Sequence, residues 1–579
     1  MNALKFGTVS ALAISLATLA LAGCSDNDDD LAAPATPPLA SSPQLPQLAP
    51  AIGATLGPCA ELASRITYPD TVITGAASVA AGSLSIAGKP VGQHCMVTGQ
   101  LGRRTSPVDG QAYAIGFEMR LPVAWNGRFF YQANGGVDGS VVQATGPVGG
   151  GGPLENALNL GFAVISSDAG HQAPTPFFGI DPQARLDYGY QAVGKLTPMA
   201  KSIIQAAYGK GPDRSYIGGC SNGGRHAMVA AARYADQYDG FLVGNPGYRL
   251  PLAAIANVAG GKTYAALATR PGDLGSGFTV AERALVSNAV LGKCDALDGA
   301  VDGLVQDTLA CQKAFDLNRD VPTCSATRDG TCLSAAQKSG IGALFAGART
   351  ESGATIYTSF PWDAGLATGG WASWKFTSPM QRDAGAIAFI WQVPPAAVAG
   401  FDGNAFVLNA NLDALLAAID ATSTTYPEKA MSFMAPPDAN GLAALKNRGA
   451  KMMVYHGTSD PIFSSDDTTA WYERLFSANA ADTSKFARFF RVPGMNHCSG
   501  GPALDQFDML TPLVNWVEKG QAPDSVTASA RGAGNAGGVN PDLPATWSAT
   551  RSRPLCPYPK VARYKGSGSI EDAASFSCQ

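Results

Sequence analysis

Residues 214–235, RSYIGGCSNGGRHAMVAAARYA, decide the fold class of this sequence. Within them, residues 219–223 (GCSNG) fit the Gly-x-Ser-x-Gly pattern, in which a serine occupies a sharp turn between a strand and a helix. A short β-type run precedes the turn, and the alanine-rich run that follows is typical of a helix. The stretch therefore predicts a nucleophile elbow with Ser221 at its tip. The alternative is a structural turn, because small residues cluster in many turns of a glycine-rich chain.

Strand-like and helical runs alternate on both sides of the elbow. They extend over residues 112–245 and return over 450–494, whereas residues 246–446 form a long stretch rich in Gly, Ala and Trp. Such alternation predicts an α/β fold, a mostly parallel sheet flanked by helices. Together with the elbow it predicts an α/β-hydrolase fold with a large inserted lid. Residues 55–245 would form the first part of the core, 246–446 the lid and 447–579 the second part.

The elbow also predicts that an acid and then a histidine follow the serine along the chain. The five histidines are His94, His171, His226, His456 and His497, and only the last two lie beyond the elbow and its helix. Asp460 follows the strand-like run KMMVYHG, and His497 alone lies beyond Asp460. We therefore predict Ser221, Asp460 and His497 as a catalytic triad and His456 as a buried histidine at a strand end. The alternative acids, Asp466 and Asp467, stand where a helix begins, a place that suits carboxylates.

The same pattern predicts the donors that would stabilise an oxyanion. The backbone N–H of Asn222, one residue past the nucleophile, is the first of them. The loop Asn134-Gly135-Gly136 follows the strand-like run RFFYQAN early in the chain, and Gly136 is the predicted second donor. The alternative for this loop is an ordinary Gly-Gly turn.

The N-terminus reads as a targeting segment. A lysine precedes an apolar run that ends in Leu21-Ala22-Gly23-Cys24, the pattern of a bacterial lipobox. We predict a signal peptide over residues 1–23, with Cys24 lipidated and residues 24–54 forming a flexible tether. The alternative is an ordinary secretory signal. Serine after the cysteine, in place of aspartate, favours the outer membrane, so we expect an exported outer-membrane lipoprotein, periplasmic or surface-facing.

Composition limits the partners. The 579 residues carry a formal net charge of −4, and no run of Lys or Arg offers the positive footprint that nucleic acid requires. No segment after the leader is apolar enough to span a bilayer, so the lipid anchor is the expected membrane contact. We expect a monomer that needs no organic cofactor.

Ten cysteines remain after Cys24, and an even number in an exported chain indicates a disulfide framework. Local spacing suggests four pairs: Cys59 with Cys95, Cys294 with Cys311, Cys324 with Cys332, and Cys556 with Cys578. Cys220 and Cys498 remain, one beside Ser221 and one beside His497. A bridge between them would join the serine turn to the histidine turn, and a reactive thiol is the alternative. Spacing alone leaves other connectivities open.

Cys220-Ser221, Asp460 and His497-Cys498 together resemble the tannase and feruloyl esterase family of α/β-hydrolases. The resemblance extends from Cys59 to Cys578 and includes the inserted lid and the five cysteine pairs. It implies a serine carboxylesterase that splits esters of small aromatic acids, with terephthalate monoesters or hydroxycinnamate esters as expected substrates. The alternatives are a tannase acting on gallate esters, and a lipoprotein of the same fold that binds aromatic ligands without catalysis.

Residues 294–304, CDALDGAVDGL, carry three carboxylates interleaved with glycines. An oxygen-rich loop of this kind suits a hard cation, although its spacing is not that of an EF-hand. The alternative is an Asp/Gly turn that faces water. The family resemblance implies a structural Ca²⁺ site in the lid, held by the side chains of Asp295, Asp298 and Asp302 and by the carbonyl oxygens of Ala300 and Leu304.

The resemblance also implies where the substrate binds. Phe463, three residues past Asp460, matches a family position that packs on the substrate ring. The lid run from Trp371 to Phe376 offers aromatic walls, and Arg382 offers a cation for a free carboxylate of the substrate. Phe463, Trp371 and Arg382 are therefore the predicted substrate contacts. The alternative is that these side chains belong to the core of the lid.

Overall fold

The computed structural model describes residues 44–437 and 441–579. The predicted signal peptide and Cys24 lie outside the described residues. Residues Leu45–Gln579 form one compact unit. Within the described ranges, no helix combines the length and the apolar character needed to cross a membrane.

Nine strands form the central sheet. In chain order they are β1 (Thr71–Val79), β2 (His94–Thr105), β3 (Ala112–Pro122), β4 (Arg128–Gln132), β5 (Ala163–Ser167), β6 (Arg214–Cys220), β7 (Gly240–Gly244), β8 (Lys451–Gly457) and β9 (Ala487–Val492). In space the order is β1-β2-β3-β5-β4-β6-β7-β8-β9. Neighbours from β5 to β9 are parallel. The sheet is therefore mostly parallel, as predicted.

The other end of the sheet is antiparallel. The strands β1, β2, β3 and β5, which are neighbours in that order, pair antiparallel. The reason lies in the connection between β2 and β3. Only residues 106–111 separate these strands, too few for the crossover that a parallel pair requires.

Helices cover the sheet and fill the segment between β7 and β8. The longer ones are α1 (Ala192–Tyr208), α2 (Asn222–Arg233), α3 (Leu250–Leu267), α4 (Val280–Cys294), α5 (Ala335–Phe345), α6 (Leu412–Asp420), α7 (Ser465–Asn479) and α8 (Leu510–Lys519). Shorter α-helices span Leu62–Arg65, Pro182–Leu186, Thr308–Ala314, Leu317–Asp320, Gly369–Ala372, Gly403–Leu408, Ala430–Met434, Ala443–Asn447 and Thr483–Phe486. Every residue of β7 and β8 is buried, as expected for parallel strands covered on both faces.

Four pairs of short strands lie outside the central sheet. They join Ala54–Thr55 to Ala124–Trp125, Ser85–Ile86 to Lys89–Pro90, Val526–Ser529 to Ser552–Leu555, and Ala562–Tyr564 to Phe576–Cys578. The last two pairs follow α8 and build a C-terminal extension. This extension reaches the predicted lid, because Arg551 Nη1 donates to the carbonyl oxygen of Asp302 at 2.6 Å.

The chain leaves the sheet after β7 and returns at β8, and the lid was predicted between these strands. In the described residues of this segment the regular structure is helical and includes three π-helical runs, Ser373–Thr377, Pro379–Asp383 and Ala386–Trp391. Hydrogen bonds join the segment to the loop that carries His497. Gly494 N–H donates to Asp363 at 3.1 Å, and Asn496 Nδ2 donates to Thr368 Oγ1 at 2.6 Å.

Five disulfides cross-link the chain. They join Cys59 to Cys95, Cys220 to Cys498, Cys294 to Cys311, Cys324 to Cys332 and Cys556 to Cys578. Four of these pairs are the ones that the sequence spacing suggests, and the fifth joins Cys220 to Cys498, the two cysteines that remained. Four of them close local loops, whereas the pair 220–498 spans 278 residues.

Candidate active site

Ser221 occupies the turn between β6 and α2. β6 ends at Cys220 and α2 begins at Asn222, so one residue makes the whole connection. Its backbone has φ 67° and ψ −127°, a conformation that non-glycine residues rarely adopt. Ser221 N–H donates to the carbonyl of Gly244 at 3.0 Å, and its own carbonyl accepts from Arg225 N–H at 3.0 Å. The surrounding backbone therefore holds the strained residue in place.

The glycines of the pattern are required by a close approach of three chain segments. A Cβ atom at Gly219 would stand 2.2 Å from the carbonyl oxygen of Ala133, and one at Gly223 would stand 2.3 Å from the same oxygen. Neither distance is possible for a real side chain. The elbow can therefore pass the end of β4 only with glycine on both sides of the serine.

Ser221, His497 and Asp460 form one hydrogen-bonded series. Ser221 Oγ lies 2.8 Å from His497 Nε2, and His497 Nδ1 lies 2.8 Å from Asp460 Oδ2. Because a carboxylate only accepts, Nδ1 carries the proton and Nε2 is left to accept from the serine hydroxyl. The structure thus brings together the three predicted triad residues in the geometry of a nucleophile, a base and an orienting acid.

Asp460 is buried, and its carboxylate accepts several hydrogen bonds. Its oxygens accept hydrogen bonds from His497 Nδ1 (2.8 Å), Asn245 Nδ2 (2.7 Å), Ile462 N–H (3.0 Å) and Phe463 N–H (3.1 Å). Burial alone would raise the pKa of this carboxyl, but the neighbouring histidines outweigh burial and hold the pKa well below its ordinary range. Asp460 therefore stays ionised and can orient the imidazole.

Asn245 is a further residue of the site, and no sequence motif predicts it. This residue follows β7 with a positive φ of 36°, and its side chain donates to the same oxygen of Asp460 that His497 contacts. The two residues are 215 positions apart, so no local motif links them. The only signal in the sequence is an asparagine directly after a buried strand, a residue type that tolerates the left-handed region.

The alternative residues for the triad have other partners. His456 Nε2 donates to the carbonyl of Phe463 at 2.9 Å and lies 3.3 Å from Asp460 Oδ2, while Nδ1 contacts Thr468 Oγ1 at 2.8 Å. This is the buried, satisfied histidine that we predicted. Of the alternative acids, Asp467 pairs with Arg249 and Asp466 accepts from Ser359 Oγ.

The Cys220–Cys498 disulfide lies directly beside the series. Its two Cα atoms are 6.0 Å apart, and each cysteine is the chain neighbour of a residue in the series. Cys498 also has a positive φ, 65°, so the backbone turns sharply on both sides of the bridge. The bridge therefore joins the serine turn covalently to the histidine turn.

The two predicted oxyanion donors belong to adjoining segments. Asn222 is the first residue of α2, so its backbone N–H has no partner within the helix. Gly136 has a positive φ of 66° in the loop after β4. The same loop lies against the serine, because a Cβ at Gly135 would stand 3.8 Å from Ser221 Cβ. Both donors thus belong to segments next to Ser221.

Asp138 connects these two segments. Its Oδ2 accepts from Asn222 Nδ2 at 2.8 Å and from His226 Nε2 at 2.9 Å. Burial raises the pKa of Asp138 to about 7, although His171, Arg225 and Asn222 act to lower it. Burial also lowers the pKa of His226 well below its ordinary value, so the ring is neutral and donates through Nε2. The hydrogen bond to Asp138, which no motif in the sequence predicts, fixes the side chain of Asn222.

Two aromatic rings flank His497. Phe463 lies edge-on at 5.2 Å between ring centroids, and Trp374 lies edge-on at 4.9 Å. Phe463, a predicted substrate contact, is only 3% exposed and lies beside His497. Arg382 is exposed, and its guanidinium lies over the ring of Trp374 at 4.8 Å. Phe463 and Trp374 therefore form an apolar wall beside His497, and the Arg382 cation lies over the ring of Trp374.

Trp371 differs from the prediction. It is only 2% exposed and packs in the core of the segment between β7 and β8, against Phe278 and Phe376, with Arg283 over its ring. Trp374, three residues later, takes the place beside His497. The difference arises because residues 373–377 form a π-helical run, whose residues point in directions that a regular helix would not give.

Residues 294–304 form the acidic loop for which a Ca²⁺ site is predicted. Asp295 Oδ1 accepts from the N–H groups of Asp302 and Gly303, Asp298 Oδ1 accepts from Ala300 N–H, and Asp302 pairs with Arg553. Among the described residues, these three carboxylates are therefore not arranged as a set of metal ligands. Asp298 Oδ2, however, is buried without a hydrogen-bond partner among the described residues. Burial, with the charges of Asp302 and Asp295, raises the pKa of Asp298 to about 7.

A buried carboxylate oxygen that has no hydrogen-bond partner and lies near two further carboxylates is stabilised when a cation binds to it. Asp298 offers such an oxygen beside the charges of Asp295 and Asp302, whereas Asp302 is already paired with Arg553. The resemblance implies the carbonyl oxygens of Ala300 and Leu304 as further ligands. Ala300 and Leu304 are both buried beside these carboxylates in the chain.

Known proteins resemble this chain over most of its length. The family model described as tannase and feruloyl esterase matches residues 95–579. The mono(2-hydroxyethyl) terephthalate hydrolase of Piscinibacter sakaiensis is 40% identical over 524 residues, which cover 84% of this chain and 85% of that protein. Feruloyl esterase B of Aspergillus niger is 28% identical over 544 residues, covering 90% of this chain and 95% of that protein.

Solved structures agree on the fold. Feruloyl esterase B from Aspergillus oryzae superposes with a TM-score of 0.71 at 24% identity, covering 90% of this chain and 99% of that one. The tannin acyl hydrolase from Aspergillus niger superposes with a TM-score of 0.65 at 18% identity, covering 91% and 96%. The fold is that of an α/β-hydrolase, as predicted. The family model and the 40% identical relative show that the chain belongs to the tannase and feruloyl esterase family of ester hydrolases.

Proposed function

We propose that this chain is an exported serine carboxylesterase that hydrolyses esters of small aromatic acids through an acyl-enzyme. The observation that carries the proposal is the series from Ser221 Oγ through the His497 ring to Asp460, with both contacts at 2.8 Å. The name of the terephthalate monoester hydrolase, 40% identical to this chain, supports the substrate class. The edge-on rings of Phe463 and Trp374 beside His497 are suited to hold an aromatic acid there.

In the first half of the reaction, Ser221 Oγ attacks the ester carbonyl while His497 Nε2 takes its proton. Asp460 keeps the ring in the tautomer with hydrogen at Nδ1 and stabilises the imidazolium that forms. His497 then gives the proton from Nε2 to the alcohol oxygen, the carbon–oxygen bond breaks, and the alcohol leaves. In the second half, water attacks the acyl-enzyme with His497 again as base, and the free acid is released.

The carbonyl oxygen becomes negative in both halves. The backbone N–H groups of Gly136 and Asn222 are the proposed donors to this oxyanion. Removing one such donor in a serine hydrolase lowers the rate by roughly 100- to 1000-fold, so their placement matters as much as that of the base. Asp138 supports the proposal because it ties the Gly136 loop to the side chain of Asn222.

Export and the membrane anchor are part of the proposal. Five disulfides support export, because such bonds persist in oxidising compartments and are rare in the cytosol. The lipobox pattern that ends at Cys24 supports attachment to the outer membrane through a lipid.

A substrate panel tests the proposed function. We expect hydrolysis of mono(2-hydroxyethyl) terephthalate or methyl ferulate with a kcat/KM at least about tenfold above that for methyl butyrate, because a single methylene in an apolar pocket is already worth about 1–3 kcal/mol. Methyl gallate, assayed beside them, tests the tannase alternative. Hydrolysis of none of the aromatic esters would reject the proposal, and equal rates for butyrate would reject the aromatic substrate class.

We also propose that Ca²⁺ bound by Asp295, Asp298 and Asp302 stabilises the lid. Chelation by EGTA should then lower the Tm, since an ion that binds only the folded state at 100 times its Kd stabilises it by about 2.7 kcal/mol. The variant Asp298→Asn should have a low Tm that EGTA no longer changes. Asp329→Asn, an exposed lid aspartate, is the matched control. An EGTA-insensitive wild type that holds no metal by elemental analysis would contradict the site.

A further inference from the structure

The loops that carry Asp460 and His497 lie side by side, because they follow the neighbouring parallel strands β8 and β9. Ser459 N–H donates to the carbonyl of Met495 at 3.1 Å. A Cβ atom at Gly457 would stand 2.2 Å from that same carbonyl oxygen, so the two chains approach as closely as backbone allows. The 2.8 Å contact between His497 Nδ1 and Asp460 Oδ2 therefore depends on how these two loops are held against each other.

Asp363, in the segment between β7 and β8, connects the two loops. Its Oδ2 accepts from Thr458 Oγ1 in the loop of Asp460, and it accepts from Gly494 N–H in the loop of His497 at 3.1 Å. Gly494 N–H also donates to Thr458 Oγ1 at 3.0 Å, so the three groups form a closed set of hydrogen bonds. One carboxylate from a distant part of the chain thus contacts both the acid loop and the base loop.

The carboxylate of Asp363 is fully buried, and no Lys, Arg or His among the described residues forms an ion pair with it. Its other oxygen accepts from Ala364 N–H at 2.7 Å. Burial raises the pKa of Asp363, because the surroundings penalise the negative charge. A buried charge held by hydrogen-bond donors alone is a poor source of stability. The position of Asp363 between the two loops indicates instead a role in their alignment.

The same segment contacts the two loops again within the next five residues. Gly365 N–H donates to Ser459 Oγ at 3.0 Å, next to the acid. Asn496, the chain neighbour of His497, donates from Nδ2 to Thr368 Oγ1 at 2.6 Å. A Cβ atom at Gly365 would stand 2.5 Å from Ser459 Cβ, so this approach requires glycine. Residues 363–368 are therefore fastened to both loops at several points.

From these contacts we infer that Asp363 is a positioning residue for the reaction: it holds the loop of Asp460 and the loop of His497 in the arrangement that brings the imidazole to Ser221. The inference rests on the proposed ester hydrolysis. It gives the segment between β7 and β8 a part in the chemical step, in addition to the aromatic contact that the segment offers to the substrate. Asp363 acts through the two loops and not on the substrate, so its loss should lower kcat more than it changes KM.

Thr458→Val tests the contact without changing any charge. The variant keeps the branched shape but loses the hydroxyl that donates to Asp363. We expect kcat to fall by about tenfold or more with KM within about threefold of the wild type, since a misplacement of about 1 Å lowers a rate about 100-fold. Thr458→Ser retains the hydroxyl and should restore kcat to within about threefold. Thr469→Val, at a buried threonine of α7 whose hydroxyl donates to Ser465, is the matched control and should change neither constant.

Asp363→Asn tests the carboxylate itself. An amide cannot accept on both sides, so one of the contacts to Thr458, Gly494 or Ala364 is lost, and kcat should fall by about 10- to 100-fold. Asp181→Asn is the matched control, because Asp181 is also fully buried but pairs with Arg104. This control should lower the Tm and leave kcat within about twofold of the wild type. The pair of variants separates a loss of alignment from a loss of stability.

Inactivation by phenylmethanesulfonyl fluoride provides a readout that needs no ester substrate. Attack on this reagent also requires Ser221 to be activated by His497, so the rate constant of inactivation should fall in parallel with kcat in Thr458→Val and Asp363→Asn. Thr458→Val carries the test if Asp363→Asn does not fold.

Three results would overturn the inference: wild-type kcat and inactivation rates in Thr458→Val, no recovery in Thr458→Ser, or a change confined to KM. If the wild type hydrolyses none of the aromatic esters but its inactivation rate follows these variants as expected, the proposed substrate class is wrong and the positioning role of Asp363 is upheld.

Discussion

Replacing Ser221 with alanine is expected to lower kcat for ester hydrolysis by about 10⁵- to 10⁶-fold while substrate binding is retained. The substitution removes only the hydroxyl group, whose Oγ lies 2.8 Å from His497 Nε2, and the acyl-enzyme cannot form without it. Loss of the nucleophile in a serine hydrolase leaves only the contribution of the oxyanion donors and of binding, which accounts for the size of the effect. Steady-state rates and calorimetric binding of the aromatic acid measure the two parts.

Ser215→Ala is the matched control for this variant. Ser215 is a buried serine of the same strand, β6, so its replacement removes the same atom from the same element without touching His497. It should retain nearly all of the wild-type kcat. A Ser221→Ala protein that keeps more than about one per cent of the wild-type rate would show that another group is the nucleophile.

Removing the Cys220–Cys498 bridge is expected to lower kcat by about 100-fold with little change in KM. The bridge joins the neighbours of Ser221 and His497, and a displacement of about 1 Å between reacting groups has an effect of this size. The aromatic walls belong to Trp374 and Phe463, which lie in other segments of the chain than the two cysteines, so binding should persist. Stability should also fall, because closing a loop of 278 residues contributes about 5–6 kcal/mol in the chain-entropy description.

The double variant Cys324→Ala/Cys332→Ala provides the control for the bridge. That disulfide closes a loop of only 8 residues in the segment between β7 and β8, and neither cysteine is a chain neighbour of a residue in the series. Its loss should lower the Tm modestly and leave kcat within about twofold of the wild type. If the Cys220→Ala/Cys498→Ala protein keeps full kcat, the bridge contributes to stability alone.

The serine turn could be predicted from sequence because its constraints are local. Gly219 and Gly223 both approach the carbonyl oxygen of Ala133, and only glycine permits that approach. The requirement is therefore visible in five consecutive residues, 219–223. The order of acid and histidine then follows from the order of the parallel strands. The four local disulfides were predictable for the same reason, since their cysteines are close in the chain.

The walls of the site could not be predicted in the same way. Trp371 and Trp374 are equally plausible from sequence, and the choice between them is made by a π-helical run and by packing against Phe278. Asn245 reaches Asp460 across 215 residues, and Asp138 reaches His226 across 88. Contacts of this kind depend on how distant strand ends meet in the folded sheet, and no spacing rule in a single sequence encodes them.

The central claim is that Ser221 is the nucleophile that His497 and Asp460 activate. Reaction of the intact protein with phenylmethanesulfonyl fluoride, followed by peptide mapping and mass spectrometry, tests it most directly, because this reagent modifies activated serines. We predict one label per chain, on the peptide that contains Ser221, with esterase activity lost in proportion to labelling. Complete inactivation with Ser221 unmodified, or complete labelling of Ser221 with activity retained, would contradict the account.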